Sequence, residues 1–255
     1  MSSWKIKQLK SVSLSSPVLI EGLPGIGNVG KVAVDFLVEE IKAKKIYEIS
    51  SYTMPHSVFI NDKNIVELPK IELYHKKHKN NDFLFLCGDV QPSDEISCYE
   101  FSGEIISLCK KHRCRDIITL GGIGLIDIPK KPKIYITGNS GRAVSKYKDK
   151  EMKDSLYGIV GPIVGVTGLL LGMADKSTNA VALLSETYGH PMHLGIKGAK
   201  EILRYMNRRF KFGINVEKLD KEIKELEDEA LKRAEELAKI QSQNKKPGHD
   251  VNYIG

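Results

Sequence analysis

Residues 17–42 leave this chain few architectures to choose from. Pro17-Val18-Leu19-Ile20 is a short apolar run, and it ends in a turn dense in glycine, Gly22-Leu23-Pro24-Gly25-Ile26-Gly27-Asn28-Val29-Gly30. Val34, Leu37, Val38 and Ile41 then recur at helical spacing across 31–42. A brief apolar run bounded by a turn reads as a buried strand, and the spacing after it reads as a helix packed on that strand. Glycine at the junction permits positive φ and a close approach of helix to sheet.

The pattern repeats with interruptions. Strands are expected at 45–52, 71–74, 82–87, 116–120 (closed by Gly121-Gly122), 133–137 and 180–184. Helices are expected at 93–112, 162–173 and 195–212, and 59–66 reads as a hairpin around Asn61-Asp62. Alternation broken by two hairpins predicts a three-layer α/β/α sandwich with a mixed sheet. No internal repeat is visible.

Composition narrows the function classes. Of 255 residues, 41% are apolar, enough to bury a core. No apolar run reaches the roughly 18–20 residues a bilayer span requires. The start, Met1-Ser2-Ser3-Trp4-Lys5-Ile6-Lys7, has neither the apolar stretch nor the cleavage site of a secretory leader. Cys87, Cys98, Cys109 and Cys114 have no paired spacing, so free buried thiols in the cytoplasm are expected. Net charge is +7. The cations cluster at Lys76–Lys79, Lys110–Arg113, Lys130–Lys133 and Arg208–Lys211, at expected turns and helix ends. No aromatic residues alternate with them as base-stacking platforms, which disfavours a nucleic-acid partner.

Candidate chemistry is sparse. Gly25-Ile26-Gly27-Asn28-Val29-Gly30 fits the dinucleotide fingerprint G-x-G-x-x-G between a strand and a helix. Glu48, the acid at the right separation for a ribose, lies inside a strand instead of at its end. Gly25 to Lys31 nearly fits a P-loop, but Val32 stands where a magnesium-binding hydroxyl is needed. Cys109, His112 and Cys114 offer at most three metal ligands beside Lys110, Lys111, Arg113 and Arg115, which would repel a metal. Asp94 and Glu95 read as the cap and first turn of a helix. No catalytic set, cofactor site or metal site is expected.

The last forty residues differ in kind. Val216, Leu219, Ile223, Leu226, Ala230, Arg233, Leu237 and Ile240 recur in steps of three and four, a heptad seam along a charged helix ~40 Å long. Residues 242–250 are polar with Pro247-Gly248, and read as a flexible tether. The chain ends Val251-Asn252-Tyr253-Ile254-Gly255, an apolar terminus suited to docking. Three parts are thus expected: 1–213, an α/β domain; 214–241, a heptad helix; and 242–255, a flexible tail.

Five segments taken together carry a resemblance. They are Gly22–Gly30, Gly88-Asp89-Val90-Gln91-Pro92, Gly121-Gly122-Ile123-Gly124, Gly165-Val166-Thr167-Gly168-Leu169-Leu170-Leu171 and Leu183-Leu184-Ser185-Glu186-Thr187. In that order they resemble the archaeal proteasome-assembly chaperone family over roughly the first 210 residues. The resemblance implies a fold similar to purine nucleoside phosphorylases, no established catalysis, a homo-oligomer (a tetramer favoured) and proteasome α subunits as partners. It also implies α-ring docking through a C-terminal hydrophobic–Tyr–any-residue tail. Here the tail is shifted, with Tyr253 third from the end, so the docking residues are Val251, Tyr253, Ile254 and Gly255. Gly138-Asn139-Ser140 stands where the family tends toward Ala-Thr-Asn. Two readings follow: a cytoplasmic proteasome chaperone or adaptor, which is favoured, and a nucleotide- or nucleoside-binding enzyme with Gly25–Gly30 as phosphate cradle.

Overall fold

The computed structural model describes residues 3–156, 161–191 and 193–225. In chain order the elements are β1 (Trp4–Gln8), β2 (Val18–Gly22), α1 (Val29–Glu40), β3 (Lys44–Ser51), β4 (Phe59–Ile60) and β5 (Val66–Glu67). Next come β6 (Ile71–His78), β7 (Asn81–Gly88), α2 (Glu95–Lys111), β8 (Asp116–Leu125), β9 (Ile134–Gly138) and α3 (Gly141–Tyr147). The last are α4 (Val166–Met173), β10 (Asn179–Tyr188) and α5 (Ile196–Phe210).

Eight strands form one mixed sheet in the order β1-β3-β6-β7-β2-β8-β10-β9. β2 pairs in parallel with β7 and β8, and β8 with β10. The remaining pairs are antiparallel. Both faces of the central strands are covered, so every residue of β2 is buried. On one face Leu19, Leu84, Leu86, Ile117 and Ala182 pack with Phe101 and Ile105 of α2 and with Val166 and Leu170 of α4. The other face carries Val18, Ile20, Phe83, Phe85, Ile118 and Val181 beneath α1 and α5. Phe83 there meets Phe210 and Phe212 with ring centroids 5.1 and 4.9 Å apart, both edge-on. This is the three-layer α/β/α sandwich with a mixed sheet.

The structure departs from the expected elements in places with clear physical causes. β8 does not stop at Gly121-Gly122 but runs on to Leu125, because β10 continues beside it and supplies ladder partners as far as Tyr188. α4 begins at Val166 and leaves Pro162 outside. β1 and α3 carry too little apolar periodicity to be visible. β1 alternates imperfectly and is held by β3 and by the Trp4–Phe101 ring contact at 4.6 Å. The hairpin turn is built by Asn61, whose Oδ1 accepts from the amides of Lys63 and Ile65.

The chain divides into two compact units, Met1–Val216 and Glu217–Gly255. Within the second, residues 219–225 are helical. The heptad seam beyond Ile223, the expected boundary at 241 and the tail lie outside the described residues.

Candidate functional site

The five motif segments converge on one edge of the sheet, where the parallel strands β2, β7, β8 and β10 end. The glycine turn is locked into that edge by contacts that leave no room for a side chain. A Cβ on Gly22 would overlap the Gly30 carbonyl, and one on Gly30 would overlap the carbonyl of Leu120. Gly122 admits the Ile26 carbonyl against β8 in the same way. Gly27 sits at φ +60°, with Thr187 Oγ1 2.7 Å from where its Cβ would be. The Gly195 amide donates to the Gly27 carbonyl at 2.7 Å. Gly25 differs: nothing lies within 4 Å of its would-be Cβ. The turn therefore uses its glycines chiefly to bring α1, β8 and β10 together.

Gln91, in the loop after β7, clamps two further segments. Its Nε2 donates to the Pro24 carbonyl at 2.6 Å, and its Oε1 accepts from the Val166 amide at 3.4 Å. The backbone there needs Gly165 at φ +80°, where a side chain would press on the same Gln91 oxygen. Lys31 ties α1 to this loop by donating to the Gly88 carbonyl at 3.0 Å, with Asp35 2.9 Å away.

Below the clamp lies Glu21, wholly buried on the central strand. One oxygen accepts from the Leu23 amide at 2.8 Å, the other from Thr167 Oγ1 at 3.3 Å. Burial pushes its pKa up to about 7 despite these two hydrogen bonds. Glu186, farther along the edge, accepts from the Lys133 amide and the Tyr135 hydroxyl. Each carboxyl is thus engaged by two fixed donors. Among the described residues no cluster of three His, Cys, Asp or Glu side chains has the makings of a metal site.

Exposed apolar side chains gather over this edge. Of the large hydrophobic side chains exposed among the described residues, all but Leu9 lie on elements that cap it. Ile26, Ile126, Ile128, Val164 and Leu194 fringe the ends of β2, β8 and β10; Ile126 is 92% and Val164 80% exposed. Tyr52, Ile60, Val66 and Leu68 fringe the ends of β3 and β7 through the β4–β5 hairpin. Ile96 and Tyr99 extend the fringe onto the first turns of α2. A groove of about 830 Å³ opens there, with Met54, Pro55, Val58 and Leu68 in its wall. Exposed apolar side chains gathered in this way mark a protein-contact face.

Sequence reasoning placed the contact at Val251, Tyr253, Ile254 and Gly255, which lie outside the described residues. It missed the fringe, although Ile126-Asp127-Ile128 and Val164 stand beside two of the motif segments. Asp94 is the N-cap of α2, accepting from the Ser97 amide at 2.9 Å. His112 turns away from Cys109 and Cys114, and its Nε2 is 2.8 Å from the Tyr47 hydroxyl.

Comparison with known proteins gives a consistent result. Residues 19–234 match the model of the PAC2 family. A Methanocaldococcus jannaschii relative is 31% identical, the alignment covering 98% of this chain and 96% of the relative. Pyrococcus furiosus PbaB, an archaeal proteasome activator, superposes with a TM-score of 0.83 at 31% identity, over 92% of this chain and 100% of that one. P. furiosus PbaA, an archaeal homolog of proteasome-assembly chaperone, shares the fold, with a TM-score of 0.74 at 22% identity over 93% and 95%.

Proposed function

This chain belongs to the PAC2 family, and we propose that it is a cytoplasmic proteasome chaperone or activator-type adaptor that binds α subunits. The observation that carries this reading is the likeness to PbaB, which spans nearly the whole of both chains. The apolar fringe supplies the physical means. Its Ile26 sits on the packed glycine turn, so little conformational entropy is lost there when a partner covers it. We assign the second contact to Val251, Tyr253, Ile254 and Gly255. On a tether of polar residues, that peptide engages the α ring at raised local concentration once the globular unit has bound. The working form is a homo-oligomer, a tetramer by family resemblance, which multiplies both contacts.

The test is binding of the full chain to recombinant archaeal α rings, read by native mass spectrometry and surface plasmon resonance. Ile126→Asp with Val164→Asp should weaken capture at least tenfold while circular dichroism stays unchanged. Deleting residues 251–255 should speed dissociation. Undiminished binding by both variants would refute the proposed contacts, and no binding by the parent chain would refute the function.

A further inference from the structure

The carboxyl end of α2 brings two thiols together. After the C-cap His112, Arg113 takes the left-handed conformation at φ +54°. The Cys114 amide donates to the Cys109 carbonyl at 2.8 Å, and the Arg113 amide to that of Lys110 at 3.0 Å. These are the paired six-to-one and five-to-two bonds of a Schellman motif. In that motif the side chains at the two ends of the longer bond touch, and here both are cysteine. Both side chains are buried, and the neighbouring Cys114 thiol, then burial, raise the Cys109 pKa well above its usual range.

The pair is also reachable. Both cysteines line a cavity of about 290 Å³ whose wall includes Lys110, Arg113, Asp175 and Thr178. Lys110 pairs with Asp175 at 3.3 Å, and Arg113 leaves the wall with a net positive charge that attracts an anionic reagent. His112 is turned to Tyr47, so no third ligand completes a metal site with the two sulfurs.

We infer that Cys109 and Cys114 form a dithiol site that closes to a disulfide by exchange with a small anionic disulfide entering the cavity. Cys114 gives up its proton and its Sγ attacks one sulfur of that reagent, the reagent's S–S bond breaks, and its other half leaves as a thiolate. Cys109 then attacks Cys114 Sγ, forms the intrachain bond and expels the second half. The two cysteine sulfurs lose two electrons to the reagent, and their two protons end on the two thiols released. The 2.8 Å bond from the Cys114 amide to the Cys109 carbonyl already holds the two residues side by side.

Glutathione disulfide is the probe, applied to the folded full-length chain, with intact mass and non-reducing peptide maps as readouts. The expected result is loss of the two thiol hydrogens and a cross-linked peptide joining 109 to 114, reversed by a dithiol reductant. Cys109→Ser should stop at one glutathionyl group on Cys114. The inference is overturned if the folded parent chain gives no such link, whether it stays unreacted or carries only glutathionyl groups. That parent-chain result decides the matter even where a variant fails to fold.

Discussion

Replacing Glu21 with Gln isolates the buried carboxyl from every other titrating group. Glu21 is fully buried, and its pKa rises from 4.5 to about 7 on folding. The sign follows from the two states. As pH climbs past 4.5 the unfolded carboxyl ionises while the folded one keeps its proton, so stability falls. The loss is complete once pH exceeds about 7 and both forms are ionised. At about 1.36 kcal/mol per pKa unit the full effect is about 3 kcal/mol, of which roughly 2.5 falls between about pH 5 and pH 8. Glutamine keeps an oxygen for the Leu23 amide and has no proton to lose. The melting temperature of Glu21→Gln should therefore exceed the parent's by a gap that widens across that interval by roughly 5–10 °C. Asp35, whose pKa burial also raises, is common to both proteins and cancels in the difference. Scanning calorimetry at matched ionic strength measures the gap. A gap that stays constant or narrows from pH 5 to pH 8 would refute the argument that burial holds the proton on Glu21.

The glycine turn should respond position by position. Gly30→Ala forces its methyl onto the Leu120 carbonyl and should cost about 1–3 kcal/mol in urea unfolding. Gly25→Ala, with open space around it and an extended φ of −160°, should stay within about 0.5 kcal/mol of the parent. Equal costs at the two positions would sink the packing account of the turn. Gln91→Ala strips a clamp from both the Pro24 carbonyl and the Val166 amide and should lower stability by about 1–3 kcal/mol, read by the same unfolding curves. Phe83→Ala empties the aromatic cluster beneath α5 and should cost about 3–5 kcal/mol.

Long apolar runs and turn glycines made the frame legible. β2, β7 and α1 are read directly from Val18-Leu19-Ile20, from Phe83 to Cys87 and from the spacing of Val34, Leu37 and Val38. Local pattern failed where tertiary pairing decides. Gly121, Gly122 and Gly124 look like a strand end, yet β10 keeps them in the ladder and the Ile26 carbonyl needs the missing side chain. β1 depends on Trp4 finding Phe101, a partner 97 positions away that no local window contains. The motif segments could be named from sequence, but not that Gln91 and Thr167 reach back to the Pro24 turn and Glu21. Exposure is likewise a property of the folded chain, so Ile126 and Val164 gave no sign that they would face solvent.

The uneven placement of surface chemistry gives the α/β unit two unlike poles. One carries the apolar fringe. Toward the other point the end of β6 with Lys76, Lys77 and Lys79, the end of α2 with Lys110, Lys111 and Arg113, and the end of α5 with Arg208, Arg209 and Lys211. On the proposed reading, a partner that covers the fringe meets this unit end-on and leaves the basic residues of the opposite pole uncovered. Covering the fringe would leave those cations in place, along with the carboxylates of Asp149, Glu151 and Asp175 that pair with Arg208 and Lys110.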